Sequence, residues 1–522
     1  MIEEQETPKA VPTRSVGTRM ARGAAWMVVL QSADRVLGFA SMLVLARLLV
    51  PEDFGLVALG MAIVGSLAAF SEFGFDLALI QNQSAGRKHY DTAWTLSLLR
   101  GFLLAVLLLL LSGPNAALMG DDRLVELVYV LALVPFIESF INIGIVDFRK
   151  NLVFRKEFLY RLSSRLGGVL TTVTLAFIWR DYWALVVGQI AASVLRLILS
   201  YFLHPYRPRL SLAAWSDLFH FSKWLFLNGL AQFVSRRAST FVVGAFLTPA
   251  AVGLFALSGE VMGTVSQAIV APVKRTFFPG FAKLTHDMTA MREILLRAYA
   301  LTVLVSLPLC IGIGMTAEFI VPLAFGPKWL ETIPVIQILV LSALANSLQG
   351  PVRPLLLALN RPELVTSLSV VNAVILIPAL IVGTWLAGIE GAAWALVFEN
   401  TAMMFVQHYI LRRFLQVSWL DVVSRLWRTL AACGAMALAV WGVKGMLVAP
   451  QEAGLQEQLY GLALIVAAGG LVYTAGLLAL WYLSGRPAGS AEGLVVKTIR
   501  DRFQRRRRQA GEQVTSGEKT ET

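Results

Sequence analysis

Fourteen apolar segments dominate the chain, each close to the ~20 residues a helix needs to cross the hydrocarbon core of a bilayer. They centre on residues 23–49, 54–79, 92–113, 124–146, 163–180, 183–203, 224–247, 251–273, 297–320, 333–357, 364–385, 389–411, 427–448 and 460–483. In lipid every backbone N–H and C=O must be satisfied internally, so isolated segments of this length can only be helices. The expected fold class is an all-α polytopic membrane protein with about fourteen transmembrane helices. Composition agrees: 57% hydrophobic and 15% charged residues over 522 positions do not describe a soluble domain.

The net charge of +12 asks for an anionic partner, and its distribution says which. When the connections are numbered alternately, the N-terminal tail and the loops on its side hold most of the Lys and Arg. Examples are Arg87-Lys88, Arg149-Lys150, Arg155-Lys156, Lys274-Arg275, Arg412-Arg413 and the run Arg505 to Arg508. The opposite side has only Arg47, Arg123, Arg180, Lys328 and Lys444. This positive-inside pattern places both termini in the cytoplasm and assigns the basic tail to anionic membrane lipid rather than nucleic acid. The first twenty residues are polar, so insertion is expected to begin with the first span and no cleavable signal is foreseen. Opposite-side loops are too short for an extracytoplasmic enzyme domain, and no GxxxxGK[ST] motif appears. Cys310 and Cys433 lie in separate apolar segments, and the five histidines form no metal-like cluster. No enzyme activity, cofactor or metal is expected.

The chain repeats itself. Leu48 to Leu59 (LLVPEDFGLVAL) returns as Phe246 to Leu257 (FLTPAAVGLFAL), with six of twelve positions identical at an offset of 198. Leu98-Leu99-Arg100 is echoed by Leu295-Leu296-Arg297, and Arg155-Lys156-Glu157-Phe158 more weakly by Arg361-Pro362-Glu363-Leu364. Six spans separate the copies, so both keep one orientation, and two six-helix lobes related by a pseudo-two-fold axis along the membrane normal are expected. The predicted organisation is a cytoplasmic tail at 1–22, an N-lobe at 23–203, an amphipathic interfacial linker at 204–223 with a short helix on which Leu212, Trp215, Leu218 and Phe219 share a face, a C-lobe at 224–411, two extra spans within 412–483, and a basic, disordered tail at 484–522.

Seven basic residues fall inside spans. Arg100, Arg165, Arg196 and Arg297 are near the basic-side ends of their helices and are read as snorkelling to headgroups. Arg35, Arg236 and Arg237 sit near mid-span, where a charge costs about 3 kcal/mol on insertion scales. They either hold an anionic cargo, which the planar guanidinium fork suits, or form ion pairs with Asp34 or Glu260. Glu138, Glu260 and Glu399 are mid-span carboxylates that either couple transport to an ion gradient or balance arginines, and Asp34 shares that ambiguity. Asp76 is read as interfacial. Pro135, Pro308, Pro351, Pro354 and Pro378 are read as helix features of packing rather than hinges.

With these residues on view the chain resembles the polysaccharide transporter family, the Wzx-like lipid-linked oligosaccharide flippases of the multidrug/oligosaccharidyl-lipid/polysaccharide exporter superfamily. The resemblance rests on Leu45 to Leu59, Phe148 to Phe158 (FRKNLVFRKEF), Val252 to Ser258 and Phe277 to Leu284 (FFPGFAKL), and covers roughly residues 15–485. It implies two bundles around a central cavity in a bacterial cytoplasmic membrane. It also implies a cargo of undecaprenyl-pyrophosphate-linked oligosaccharide, flipped to the periplasmic leaflet for exopolysaccharide, capsule or O-antigen synthesis. Polysaccharide polymerase and export machinery are further partners it leaves open. One departure is Ser239, where span 7 of the family often carries an acid. The alternative is a cation-coupled multidrug exporter of the same superfamily, against which fourteen spans and mid-span arginines argue.

Overall fold

A computed structural model describes residues 13–69, 74–217, 238–265, 281, 284, 286–447, 454–487, 490–494 and 496. The chain divides into two compact units, Met1–Ala256 and Leu257–Thr522. Among the described residues the regular structure is helical, and ten helices are long and apolar enough to cross a membrane, eleven if one bent pair counts as a span. Two predicted spans, 364–385 and 389–411, are merged in one of these helices, and most of predicted span 7 lies outside the described residues.

The first unit begins with α1 (Thr13–Leu48) and α2 (Pro51–Ala69). The chain turns between them because Pro51 starts α2 without needing its missing N–H, while Asp53 accepts from Val50 N at 3.0 Å. Helix α3 (Phe75–Gln81) leads to α4 (Arg87–Met119), which stops at Gly120 with φ +68, a left-handed C-terminal residue suited to glycine. Arg123 then ties this end of the unit together, pairing with Asp121 at 2.7 Å and with Glu52 of α2 at 2.6 Å.

The next span is broken. Helices α5 (Arg123–Leu131) and α6 (Leu133–Ser139) are followed by a 3₁₀ turn at Ile143–Ile145 and by α7 (Val146–Lys150), with a bend of 67° between the two parts. Buried Asn142 holds the bend: its N–H donates to Ser200 Oγ, its side-chain oxygen accepts from Gly144 N, and its amide donates to Tyr206 O. Helices α8 (Phe154–Trp179) and α9 (Trp183–Leu203) form a tight hairpin around Gly168 and Gly188; a Cβ on Gly188 would lie 1.7 Å from Thr172 Oγ1.

In the linker expected at 204–223, residues 204–212 have no regular secondary structure, a helix begins at Trp215, and 218–223 lie outside the described residues. The reason is the side chains that α4 offers. Asp91 accepts from Tyr206 Oη at 2.7 Å and Arg209 N at 2.8 Å, Thr95 Oγ1 from Ser211 N, and Thr92 Oγ1 from Ala214 N. These bonds satisfy the strap's backbone without helical partners.

Residues 238–246 are helical, and α10 (Pro249–Val265) follows. Its first turns meet α2 in the first unit, copy against copy of the repeat. A Cβ on Gly55 would lie 1.6 Å from Pro249 O, and one on Gly253 would lie 1.8 Å from Pro51 O. Pro249 to Ala256 belong to the first unit.

The second unit contains α11 (Met288–Ala324), α12 (Thr332–Gln349), α13 (Val352–Ala358), α14 (Pro362–Leu415), α15 (Trp419–Lys444) and α16 (Leu455–Leu483). Helix α14 is broken at Ala387 and Gly388, the latter at φ +58, and folds back so that Gly383 and Gly391 face each other's carbonyls. The first of the two extra helices, α15, is bolted to α11 at both ends: Arg292 pairs with Asp421 at 2.6 Å, Arg425 with Glu293, and Lys444 with Glu318 at 2.8 Å. In the middle, Pro308 of α11 cannot donate to Leu304 O, and Tyr473 Oη of α16 donates to that carbonyl at 2.6 Å instead. Beyond α16 the chain returns, and Glu492 accepts two bonds from the Arg428 guanidinium at 3.0 and 3.2 Å, both groups buried.

Candidate functional site

The first unit encloses a charged cavity of about 700 Å³. It is lined by Asp34 of α1, Asp76 of α3, Arg149 of α7, Glu157, Arg161 and Arg165 of α8, and Arg196 of α9. The motif Phe148 to Phe158 builds one wall. Helix α7 ends in a turn through Leu152 at φ +59, closed by Val153 N donating to Phe148 O, and α8 starts at once. This reversal puts Arg149 beside Glu157, eight residues later, at 3.8 Å, and lets Arg149 bond Asp76 at 3.0 Å. Glu157, itself buried, also pairs with Arg161 at 2.7 Å, one helical turn away.

Arg196 pairs with Glu138 at 2.6 Å, and Ser193 Oγ donates to the same carboxylate at 3.1 Å. Arg165 differs from these. It has no acidic partner among the described residues, and it lines both the charged cavity and a smaller space of about 220 Å³ whose lining mixes Leu45, Val57, Met61 and Leu131 with Ser41, Thr172 and Gln189. Its guanidinium stands where the two spaces meet, near Gly38, where an added Cβ would lie 3.5 Å away. Donors in this setting are short of acceptors, and an anion entering the cavity supplies them.

The structure distributes the residues singled out from sequence. Asp34 lines the cavity, and Arg35 beside it on α1 makes no ion pair with it. Glu138 reaches the cavity through Arg196. Arg236 and Arg237 lie outside the described residues. Glu260 is exposed on α10, and Glu399 is buried in the second unit among amides of α12 and α14.

Sequence reasoning passed over Arg149, Arg161 and Glu157, and it assigned Arg165 and Arg196 to headgroups and Asp76 to the interface. The signal for the last three was their distance from a span end. The broken span displaces that end, because α6, the 3₁₀ turn and α7 open the interior of the unit beside them. A cue was present in Glu157, the one acid among the basic residues of 149–161.

The chain is 26% identical over 428 residues to the lipopolysaccharide biosynthesis protein WzxC of Escherichia coli (strain K12), covering 79% of this chain and 85% of that protein. It is 24% identical over 416 residues to the teichuronic acid biosynthesis protein TuaB of Bacillus subtilis (strain 168), covering 77% and 83%. Among solved structures, the lipid II flippase MurJ in an inward closed conformation matches with a TM-score of 0.68 at 12% identity, over 87% of this chain and 98% of that one. An inward-facing MATE family multidrug resistance transporter of the MOP superfamily matches at 0.58 and 15% identity, over 73% and 94%. These two likenesses show a shared fold. A family model described as "Polysaccharide biosynthesis protein" matches residues 44–334, more than half of the chain. The protein is therefore a multi-pass membrane member of the polysaccharide biosynthesis protein family.

Proposed function

We propose that the protein moves an undecaprenyl-pyrophosphate-linked oligosaccharide from the cytoplasmic to the periplasmic leaflet of the bacterial cytoplasmic membrane, by alternating access, with both termini in the cytoplasm. The observation that carries the reading is Arg165, a guanidinium without an acidic partner among the described residues, in a cavity that three other arginines also line. Such a cavity suits a pyrophosphate, since arginine stays charged throughout a cycle and donates in pairs to phosphate oxygens. The relatives named for lipopolysaccharide and teichuronic acid biosynthesis support the same cargo class. In this reading Arg35, Arg236 and Arg237 contribute further to phosphate binding, and Glu138 keeps Arg196 poised until cargo displaces it.

The test is leaflet accessibility of a labelled undecaprenyl-pyrophosphate oligosaccharide in proteoliposomes. Protein-dependent transfer is expected, strongly reduced in Arg165→Ala and lost in the Arg236→Ala/Arg237→Ala pair while reconstitution stays normal. Transfer at the wild-type rate by both well-inserted variants sinks the cationic-cavity mechanism. No transfer with any lipid-linked glycan tried sinks the flippase reading.

A further inference from the structure

The carboxylates of the charged cavity divide into those with an arginine and Asp34, but Glu399 belongs to neither setting. It sits in the second half of α14, eleven residues past the break at Gly388, and is 4% exposed. Its partners are amides. Asn400 Nδ2 donates to it at 2.6 Å, and Asn372, from the first half of the same helix, donates as well. Asn400 also donates to Ser342 Oγ of α12 at 3.1 Å, Gln349 Nε2 donates to Asn400 O at 2.9 Å, and Gln407 Nε2 donates to Gln349 Oε1 at 2.8 Å. Polar groups therefore run along an otherwise apolar seam between α12 and α14.

Glu399 makes no ion pair among the described residues, and Arg353 of α13, the basic group on that neighbouring helix, donates instead to Ser369 Oγ at 3.3 Å, one turn from Asn372. Helix α12 carries no charged or histidine residue from Thr332 to Gln349, and the first half of α14 carries none from Leu364 to Leu386. On its own half the nearest titratable groups are Glu390 and His408, each nine residues away, and His408 is stacked on Trp419. The charged groups of α11 are engaged elsewhere: Arg292 with Asp421, Glu293 with Arg297 and Arg425, and Glu318 with Lys444. Buried Tyr299 and Cys310 complete the titratable side chains of that helix.

An arginine would lock a carboxylate in its ionised form. A side-chain amide does not, because it has N–H on one edge and C=O on the other. Rotated one way it donates to a carboxylate; rotated by half a turn it accepts from a carboxylic acid. Asn372 and Asn400 can therefore satisfy either protonation state. A metal ion is less well served. Among the described residues no three Asp, Glu, His or Cys converge on any point, and the amide nitrogens face the carboxylate.

We propose that Glu399 is a proton-exchange site of the transport cycle, with Asn372 and Asn400 as the groups that hold both its protonated and its ionised form. One O–H bond forms at Glu399 when a proton arrives from water and breaks when it leaves, with no change of oxidation state. Its role in driving transport rests on the flippase reading, but its protonation does not. The test is infrared difference spectroscopy of the full chain in lipid nanodiscs across a pH titration. A carboxylic-acid C=O band lost on alkalinisation is expected in the wild type and in Glu138→Gln, and is expected to be absent in Glu399→Gln. Asn372→Ala and Asn400→Ala should shift its midpoint. A band that survives in Glu399→Gln, or one removed by sodium at constant pH, overturns the proton site. The same samples are then given undecaprenyl pyrophosphate, with its binding measured directly. Linkage requires binding to move the midpoint by as much as protonation changes affinity. Binding without any such movement overturns coupling, whereas absence of binding counts against the cargo and leaves the proton site to stand on its band.

Discussion

Gly55 and Gly253 occupy equivalent places in the two copies of the repeat and approach each other's helix reciprocally, each facing the carbonyl of the proline four residues before the other. The repeated P-x-x-x-G is thus a structural contact of the fold as well as a trace of duplication. Proline starts each helix, and glycine lets the other helix come within a distance no side chain allows.

Filling this crossing must push backbone apart, since the atom met by an added Cβ is a carbonyl oxygen and not the end of a flexible side chain. Gly55→Ala and Gly253→Ala are each expected to cost about 1–3 kcal/mol by overpacking. The double variant should cost clearly less than their sum, because the first substitution already opens the crossing. Thermal unfolding in detergent measures all three; strict additivity would mean that the two sites are not coupled.

Arg165→Ala should cut transport ten- to a hundred-fold, the equivalent of the about 1.5–3 kcal/mol that a charge-assisted hydrogen bond contributes. Arg165→Lys should recover only part of it, since an ammonium lacks the two-pronged geometry. Polymer export per unit of inserted protein is the measurement. Full activity in Arg165→Ala would move the anion site elsewhere.

Tyr473→Phe should destabilise the second unit by roughly 1 kcal/mol, the net worth of an ordinary hydrogen bond, by leaving the Leu304 carbonyl unmatched. In a Pro308→Ala background the helix supplies its own N–H to that carbonyl, and the same substitution should cost little. Equal costs in both backgrounds would show that Tyr473 acts through packing alone.

The strap carries a pH dependence. Burial pushes the His204 imidazole below its ordinary value, and this outweighs Asp147, whose carboxylate 3.4 Å away favours the proton. The unfolded strap therefore binds a proton more readily than the folded one. The contribution of His204 is complete above the unfolded value of 6.5 and is lost as pH falls through the lowered folded value. Amide hydrogen exchange of residues 204–214 should show the strap opening more often on acidification. His204→Gln should flatten that dependence, and an unchanged slope in the variant would assign it to another group.

The helices were readable because their apolar runs match a bilayer in length, and the break at 387–388 was placed correctly between two predicted spans. The interior of the first unit was harder to read. Arg165 and Arg196 look like anchors when depth is judged by distance from a helix end, and only the bend held by Asn142 shows that this end opens into a cavity. The linker was legible only in part: a helix begins at Trp215, within the stretch expected to be amphipathic, but the acceptors that engage residues 206–214 belong to α4, more than a hundred residues earlier in the chain. Arg149 was visible as part of a motif, and the turn that delivers it to Glu157 was not.

The strap also limits where the length of this protein can change. Its backbone is laced to Asp91, Thr92 and Thr95 at fixed intervals, so one residue inserted between Tyr206 and Ala214 would throw every later donor out of step with its acceptor. A connection between duplicated halves is ordinarily where insertions and deletions accumulate. Here that freedom is withdrawn from its first stretch, and relatives of different length are expected to take up the difference after Ala214.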